Sequence, residues 1–200
     1  MRKMKNIANI GMSGLKAVLV FALIASAPSF NFAQSSLEAS NTPGKEVYIR
    51  NSYTARDAEF LSRAAEINLE EISLGQLAQK KSMMADVKNL GKMMQEAHTK
   101  SMKDLTVLAK TKMITIPKEE TYNSQNAYRD LNSKSEAEFD KAYCDAMVTG
   151  HKHAITMFEK ASKESDDADI KKWAEETLPV LRMHLEHSVS CQEKCEKVKG

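Results

Sequence analysis

Apolar and polar residues recur along four stretches of the chain with steps of three and four, the period of an amphipathic α-helix. This pattern predicts helices over residues 55–80, 83–111, 136–162 and 167–196. Their apolar stripes are Phe60, Ala64, Ile67, Leu74 and Ala78; Val87, Leu90, Met94, Met102, Leu105 and Ala109; Phe139, Tyr143, Met147, Ala154, Phe158 and Ala161; and Ile170, Ala174, Leu181, Ser188 and Cys191. The chain is therefore predicted to be all-α.

Residues that favour helix starts precede each stretch. The predicted caps are Thr54 with Asp57, Ser82, Ser135 with Glu138, and Asp166 with Asp169. Short turns around residues 80–82 and 163–165 make helices one and two, and helices three and four, antiparallel neighbours.

The connection between helices two and three, residues 111–134, is long and polar and contains Pro117. It is predicted to hold at most one short helical turn, around residues 127–131. A connection of this length is expected to travel the length of the bundle, as the long crossover of ferritin-like folds does. The predicted fold is a ferritin-like four-helix bundle over residues 54–196, with a long crossover between helices two and three.

Each apolar stripe carries one side chain that can bind a metal: Glu71, His98, His151 and His184. A polar group buried without a partner costs roughly 2–7 kcal/mol, so these residues should meet one another or a cation. The helical rise places Glu71 about 16 Å and His98 about 24 Å from the turn between their helices, which predicts different heights for the two.

Two interpretations of these residues stay open. The four side chains bind nothing and stabilise the bundle through buried hydrogen bonds, or they hold a single Zn, Mn or Fe ion, which imidazole and carboxylate ligands suit. Di-iron ferroxidase chemistry is disfavoured, because such sites need Glu three residues before His. The residues at those places are Gln95, Val148 and Leu181.

A second, softer metal site is conceivable at the end of helix four. His184, His187, Cys191 and Cys195 follow one another with steps of three, four and four, which puts them along one helix face. Imidazole and thiolate ligands would suit copper or zinc. The alternative is that His187 is solvated and the cysteines end a frayed helix. A disulfide from Cys144 to Cys191 or Cys195 also stays open, whereas a Cys191–Cys195 bridge would be strained.

The first 33 residues have the pattern of a secretory signal peptide, with basic residues followed by the apolar run 17–27, which is too short to span a bilayer. Cleavage is predicted after Ala33, leaving a flexible polar tail over residues 34–53; an uncleaved inner-membrane tether is the alternative. The remaining chain has 25 basic and 27 acidic residues. Without a basic excess or a basic face, no nucleic-acid partner is expected. No transmembrane span is expected in the mature chain either.

Four segments together resemble a known bacterial family. In order they are AAEINLEEISLGQLA, KNLGKMMQEAHTKSMKDLTVLA, FDKAYCDAMVTGHKHAITMFEKA and WAEETLPVLRMHLEHS. They are similar in order and spacing to the domain of unknown function 4142 family over roughly residues 54–190. The resemblance implies an exported ferritin-like protein of a kind often labelled as an outer membrane protein.

The family pattern falls on Glu71, His98, Phe139 with Asp140, Tyr143, His151, Leu178 with Pro179, and His184. Where the family has Asp before the second-helix His, this chain has Ala97. From the residues and the resemblance together we expect a periplasmic or outer-membrane-associated protein that binds a metal ion or small ligand in its core. The alternative is a non-catalytic structural or interaction protein of the cell envelope, acting through an envelope partner or as a homodimer.

Overall fold

The computed structural model describes residues 53–197, and this part of the chain consists of five helices joined by short segments. The helices are α1 (Ala55–Lys81), α2 (Ala85–Thr111), α3 (Tyr122–Ser133), α4 (Glu136–Glu164) and α5 (Ala168–Lys197). The all-α prediction is confirmed, and the four long helices begin and end within about two residues of their predicted limits. The predicted signal peptide and nearly all of the predicted polar tail lie outside the described residues.

Two of the predicted helix starts have the expected capping boxes. Thr54 N–H donates to Asp57 Oδ2 at 2.9 Å, and Asp57 N–H donates back to Thr54 Oγ1 at 3.3 Å. At α4, Ser135 and Glu138 form the corresponding pair. Each box satisfies backbone N–H groups that the first helical turn leaves without a partner.

The other two predicted caps were wrong. Ser82 ends α1, and its hydroxyl accepts from Met84 N–H, so that α2 begins after Met84. At α5 the cap is Asp167, whose Oδ1 accepts from the N–H groups of Asp169 and Ile170. Asp167 is fully buried and pairs at 2.8 Å with Lys112 at the end of α2, so tertiary contact selects it over Asp166.

Residue pairs at matching heights show how the long helices run. On α4 and α5, Asp145 contacts Gln192 and Glu159 contacts Arg182, which makes the two helices antiparallel. On α1 and α2, Gly75 lies against Gly91 so closely that a Cβ on Gly75 would fall 2.5 Å from the Gly91 carbonyl oxygen. Together with the Asn68–His98 hydrogen bond further along the same two helices, this contact makes α1 and α2 antiparallel, as the short turn predicted.

The connection from α2 to α4 spans the length of the helices. It starts beside Asp167 at one end, and at the other end Asn132 accepts a hydrogen bond from Lys81. The prediction of at most one helical turn here was wrong, because α3 has 12 residues. Its sequence is polar, but Ser124 and Leu131 are buried, and Ser124 Oγ donates to Glu70 Oε2 at 2.7 Å. Packing on α1 therefore stabilises a helix that apolar periodicity does not reveal.

The buried apolar side chains form two separate clusters. One gathers around Phe60, Leu105, Phe158 and Ile170, and the other around Leu74, Met94, Tyr143 and Cys191. Every long helix has buried polar residues between the segments that feed these clusters: Asn68 and Glu71 on α1, His98 on α2, His151 on α4, and His184 and Ser188 on α5. The interior is thus layered, with a polar layer between two apolar ones.

Candidate metal centre

The polar layer contains three imidazoles from three helices. His98 of α2, His151 of α4 and His184 of α5 are each buried, and their ring centroids are 5.3–5.7 Å apart. One ring nitrogen from each lies within 4.8 Å of the others. The three histidines that interrupt the predicted stripes therefore lie side by side, one per helix.

Hydrogen bonds fix the orientation of two of the rings. His98 Nδ1 lies 2.9 Å from Asn68 Oδ1, and His151 Nδ1 lies 2.9 Å from the Met147 carbonyl oxygen. Because both partners are acceptors, both Nδ1 atoms carry the proton and both Nε2 atoms keep a lone pair. Ligand histidines in metalloproteins are commonly oriented in this way, with the second ring nitrogen donating to an amide or backbone oxygen.

The remaining contacts leave several polar atoms without a partner. His151 Nε2 and His184 Nδ1 are 3.3 Å apart, which is long for a hydrogen bond between ring nitrogens. Among the described residues, His98 Nε2, His184 Nε2 and Glu71 Oε2 are buried and have no hydrogen-bond partner. Such atoms carry a desolvation cost of about 1–3 kcal/mol each, which a ligand in the layer would reduce.

Glu71 lies beside the three histidines and is not a member of the close group. Its Oε1 is 3.9 Å from His151 Nδ1, the nitrogen that already donates to Met147. The helix register explains this position: Asn68, three residues earlier, is level with His98. Glu71 and His98 therefore lie at different heights, as the helical rise predicts. The residue of α1 that lies at the height of His98 is Asn68.

Burial shifts the pKa values of the ionisable groups in the polar layer toward their uncharged forms. Burial raises the pKa of Glu71 to about 8, and the nearby Glu70 carboxylate adds to the effect. Burial lowers the pKa of His184 to about 4, with smaller contributions from His151 and His187. It also lowers the pKa of His98 and of His151. The imidazoles are therefore in the neutral form that binds metals.

A cavity of about 190 Å³ connects this layer with the surface. Its inner wall includes Glu71, His98 and His151, and exposed Arg63 and His153 stand at its outer edge. The cavity gives an ion or small ligand a route to the histidines, and it is lined by the carboxyl groups of Glu70 and of the more deeply buried Glu71.

The residues of the softer candidate site are divided between two places. His184 belongs to the histidine group and His187 is exposed, while Cys191 and Cys195 group with Cys144. All three cysteines are buried and free. The helix of Cys191 and Cys195, α5, continues to Lys197 and passes through Pro179 without ending.

Asn68 is the residue of the layer that the sequence interpretation missed. It continues a second buried line on α1 through Leu61 and Ala65, with steps of four and three. The sequence therefore contained a pattern that could have indicated Asn68, since it is a polar residue in this second row of buried positions, as Glu71 is in the predicted apolar stripe. The line was overlooked because α1 buries a wider face than one stripe.

Comparison with known families agrees with the resemblance seen in the four segments. Residues 45–190 match the profile of the family described as Domain of unknown function (DUF4142). The chain belongs to this family. The match includes Asn68, Glu71 and all three histidines of the layer, and the family description names no activity. No curated protein matches the chain.

One similar solved structure is the crystal structure of a DUF305 fragment from Deinococcus radiodurans. It aligns with a TM-score of 0.63 and 11% sequence identity, covering 71% of this chain and 98% of that one. At this identity the likeness concerns the helical fold alone. Across residues 53–197, none of the helices combines the length and the apolar character that a membrane span requires.

Proposed function

We propose that this protein is an exported ferritin-like bundle that holds one divalent first-row transition metal ion, Zn, Mn or Fe, between His98, His151 and His184. The observation that carries the proposal is the convergence of three buried, neutral imidazoles from three helices within 4.8 Å. Imidazole nitrogen is a preferred ligand of these ions. Copper is the alternative ion that the same ligands would accept.

The spacing of the nitrogens supports a shared ion. Two nitrogens about 2.0–2.1 Å from a tetrahedral zinc lie about 3.4 Å apart. His151 Nε2 and His184 Nδ1 are 3.3 Å apart, which fits two ligands of one ion better than a direct hydrogen bond. The unpartnered Nε2 atom of His98 supplies the third lone pair.

Three protein ligands leave a coordination position for a small molecule, as in metal sites that bind substrate or water. The cavity that reaches His98 and His151 would lead to this position, with Glu71 as the adjacent carboxyl group. A single ion is favoured over a di-iron centre, because the bundle lacks the second set of carboxylates that such centres use.

The ferritin-like arrangement and the export of the protein belong to the same proposal. Antiparallel neighbours and a connection that spans the helix length support the bundle topology. Export to the periplasm or outer membrane rests on the basic and apolar pattern of residues 1–33.

Metal analysis of protein purified without chelators tests the proposal, with matched histidine variants. His151→Gln and His184→Gln should abolish stoichiometric metal and the visible spectrum of the Co²⁺-loaded protein. The controls His153→Gln and His187→Gln change exposed histidines on the same two helices and should keep both signals.

Metal binding would be contradicted if the wild-type protein is purified without metal and takes up none of these ions. Equal free energies of unfolding for the wild type and His184→Gln would agree with that result. That result would favour the alternative, a structural or interaction protein of the cell envelope. Its partner, an envelope protein or a second copy of the chain, would then be sought on the outer helix faces.

A further inference from the structure

A second group of possible metal ligands lies in the other half of the interior, away from the histidine layer. Cys144 of α4 meets Cys191 and Cys195, which are one turn apart on α5. All three thiols are buried, and one ligand atom from each lies within 4.8 Å of the others. The sequence left a bridge from Cys144 to Cys191 or Cys195 open, but it did not predict that all three cysteines meet, because Cys144 is 47 residues or more from the other two along the chain.

The sulfur spacing suits a shared metal ion. Cys144 Sγ and Cys195 Sγ are 3.9 Å apart, whereas the sulfurs of a disulfide are about 2.05 Å apart. Three sulfurs about 2.3 Å from one ion lie about 4.0 Å apart in a trigonal arrangement and about 3.8 Å apart in a tetrahedral one. The observed separation falls between these values.

The surroundings add a fourth sulfur and a route from the surface. Met84 Sδ lies 3.8 Å from Cys195 Sγ. A groove of about 350 Å³ reaches Cys195 and Met84, and Met83, 71% exposed, stands on its wall. Asp140 also lines the groove; it is only 7% exposed, and its Oδ1 has no hydrogen-bond partner. A cation entering the groove would give this atom a partner.

We propose that Cys144, Cys191 and Cys195, with Met84 beside them, form a binding site for Cu(I). Thiolate and thioether sulfur are the soft ligands that select Cu(I), and the close group of ligand atoms consists of thiols alone. Binding displaces thiol protons to the solvent while copper stays Cu(I), so no oxidant or reductant is consumed. The site is independent of the proposed histidine centre.

Anaerobic titration of the reduced full-length protein with Cu(I), against a chromophoric Cu(I) chelator, tests the site. One equivalent should bind and produce the ultraviolet absorption of Cu(I)–thiolate bonds. Cys144→Ser should lose this absorption. Met84→Leu keeps the apolar volume and should weaken Cu(I) binding at least tenfold, whereas the control Met83→Leu should not change it. His98→Gln should leave the thiolate absorption intact, which separates this site from the histidine centre.

In the reduced protein, any of three results would overturn the proposal: no Cu(I)–thiolate absorption in the wild type, absorption that survives in both Cys144→Ser and Cys195→Ser, or binding of Zn²⁺ in preference to Cu(I). A Cys144–Cys195 disulfide in the isolated protein, seen as a loss of two hydrogens by mass and preventing Cu(I) binding, would also overturn it. Unfolding curves of each variant show that a lost signal reflects a lost ligand and not a lost fold.

Discussion

The ionisable residues of the polar layer favour their neutral forms because their side chains are buried, each at most 6% exposed. Burial disfavours the charged form of any group, so it raises the pKa of a carboxyl and lowers that of an imidazole. Glu71 and the three histidines are shifted in these opposite directions. A protonated Glu71 leaves no buried negative charge in the layer. As the pH rises through the pKa of Glu71, the buried carboxyl group ionises.

This opposition predicts how the stability of the metal-free protein depends on pH. The pKa of Glu71 is about 8 when folded and near its ordinary value of 4.5 when unfolded. Between these values the folded state binds the extra proton, so the free energy of unfolding falls as pH rises. From pH 6.5 to 8 the loss due to Glu71 is about 1.5 kcal/mol. The three histidines, whose pKa is lowered from 6.5 on folding, add stability as pH rises over this interval, and they do so equally in any variant that keeps them.

Glu71→Gln cannot ionise and should lack this loss. Urea unfolding of the chelator-treated wild type and variant, at pH 6.5 and at pH 8, measures the difference. The variant should gain about 1.5 kcal/mol relative to wild type over this interval. Equal slopes in the two proteins would show that Glu71 is already ionised at pH 6.5.

The contact between two glycines sets the register of α1 against α2. Gly75 and Gly91 bring the two backbones together, and a Cβ on Gly91 would lie 2.7 Å from the Gly75 carbonyl oxygen. The same register places Gln79 within a 2.7 Å hydrogen bond of Gln95 and Asn68 level with His98. The position of Asn68 in the layer therefore depends on the close approach of these two helices.

Gly91→Ala should be destabilising by about 1–3 kcal/mol, because the added methyl group meets backbone that cannot move aside. Gly150→Ala is the matched control on α4: its Cβ would lie 3.4 Å from Glu71 Oε1, an ordinary contact. That change should stabilise the protein by about 0.5–1 kcal/mol, since alanine favours a helix more than glycine does. Thermal and urea unfolding check both, and a tolerated Gly91→Ala would mean that the helices can separate without cost.

In the whole molecule, the polar layer lies between two apolar clusters that each draw on all four long helices. His98, His151 and His184 come from α2, α4 and α5, and the apolar clusters on either side do not include them. An ion bound by all three would hold these helices together in the folded state only. The energy of binding would then add directly to the free energy of unfolding.

When the ion identified by metal analysis is added back to chelator-treated protein, the Tm of the protein should therefore rise. At a free metal concentration 100 times the Kd, the stabilisation is about 2.7 kcal/mol, or roughly 5–10 °C for a domain of this size. Calorimetry of wild type and His184→Gln with and without metal measures the shift. The wild type should respond and the variant should not; the same shift in both would place the ion elsewhere.

Local periodicity predicted the parts of this protein that depend on short-range pattern. Steps of three and four gave the four long helices, and a capping pair gave the start of α1 at Ala55 and of α4 at Glu136. The same steps indicated the histidines, because an imidazole on an apolar stripe is buried when the stripe is buried. The α3 helix was not predicted, because only Ser124 and Leu131 are buried on it. Its hydrogen bond to α1 joins Ser124 to Glu70, 54 residues away in the sequence.

Sequence alone thus determined the four long helices and the burial of Glu71, His98, His151 and His184, because both follow from spacing within one helix. Tertiary structure alone decided which of those side chains meet. The register at Gly75 and Gly91 brought Asn68 to His98 and left Glu71 at the side, and the packing of α4 on α5 joined Cys144 to Cys191 and Cys195. The physical reason is that the relative height of two helices depends on contacts between them, which neither helix specifies by itself.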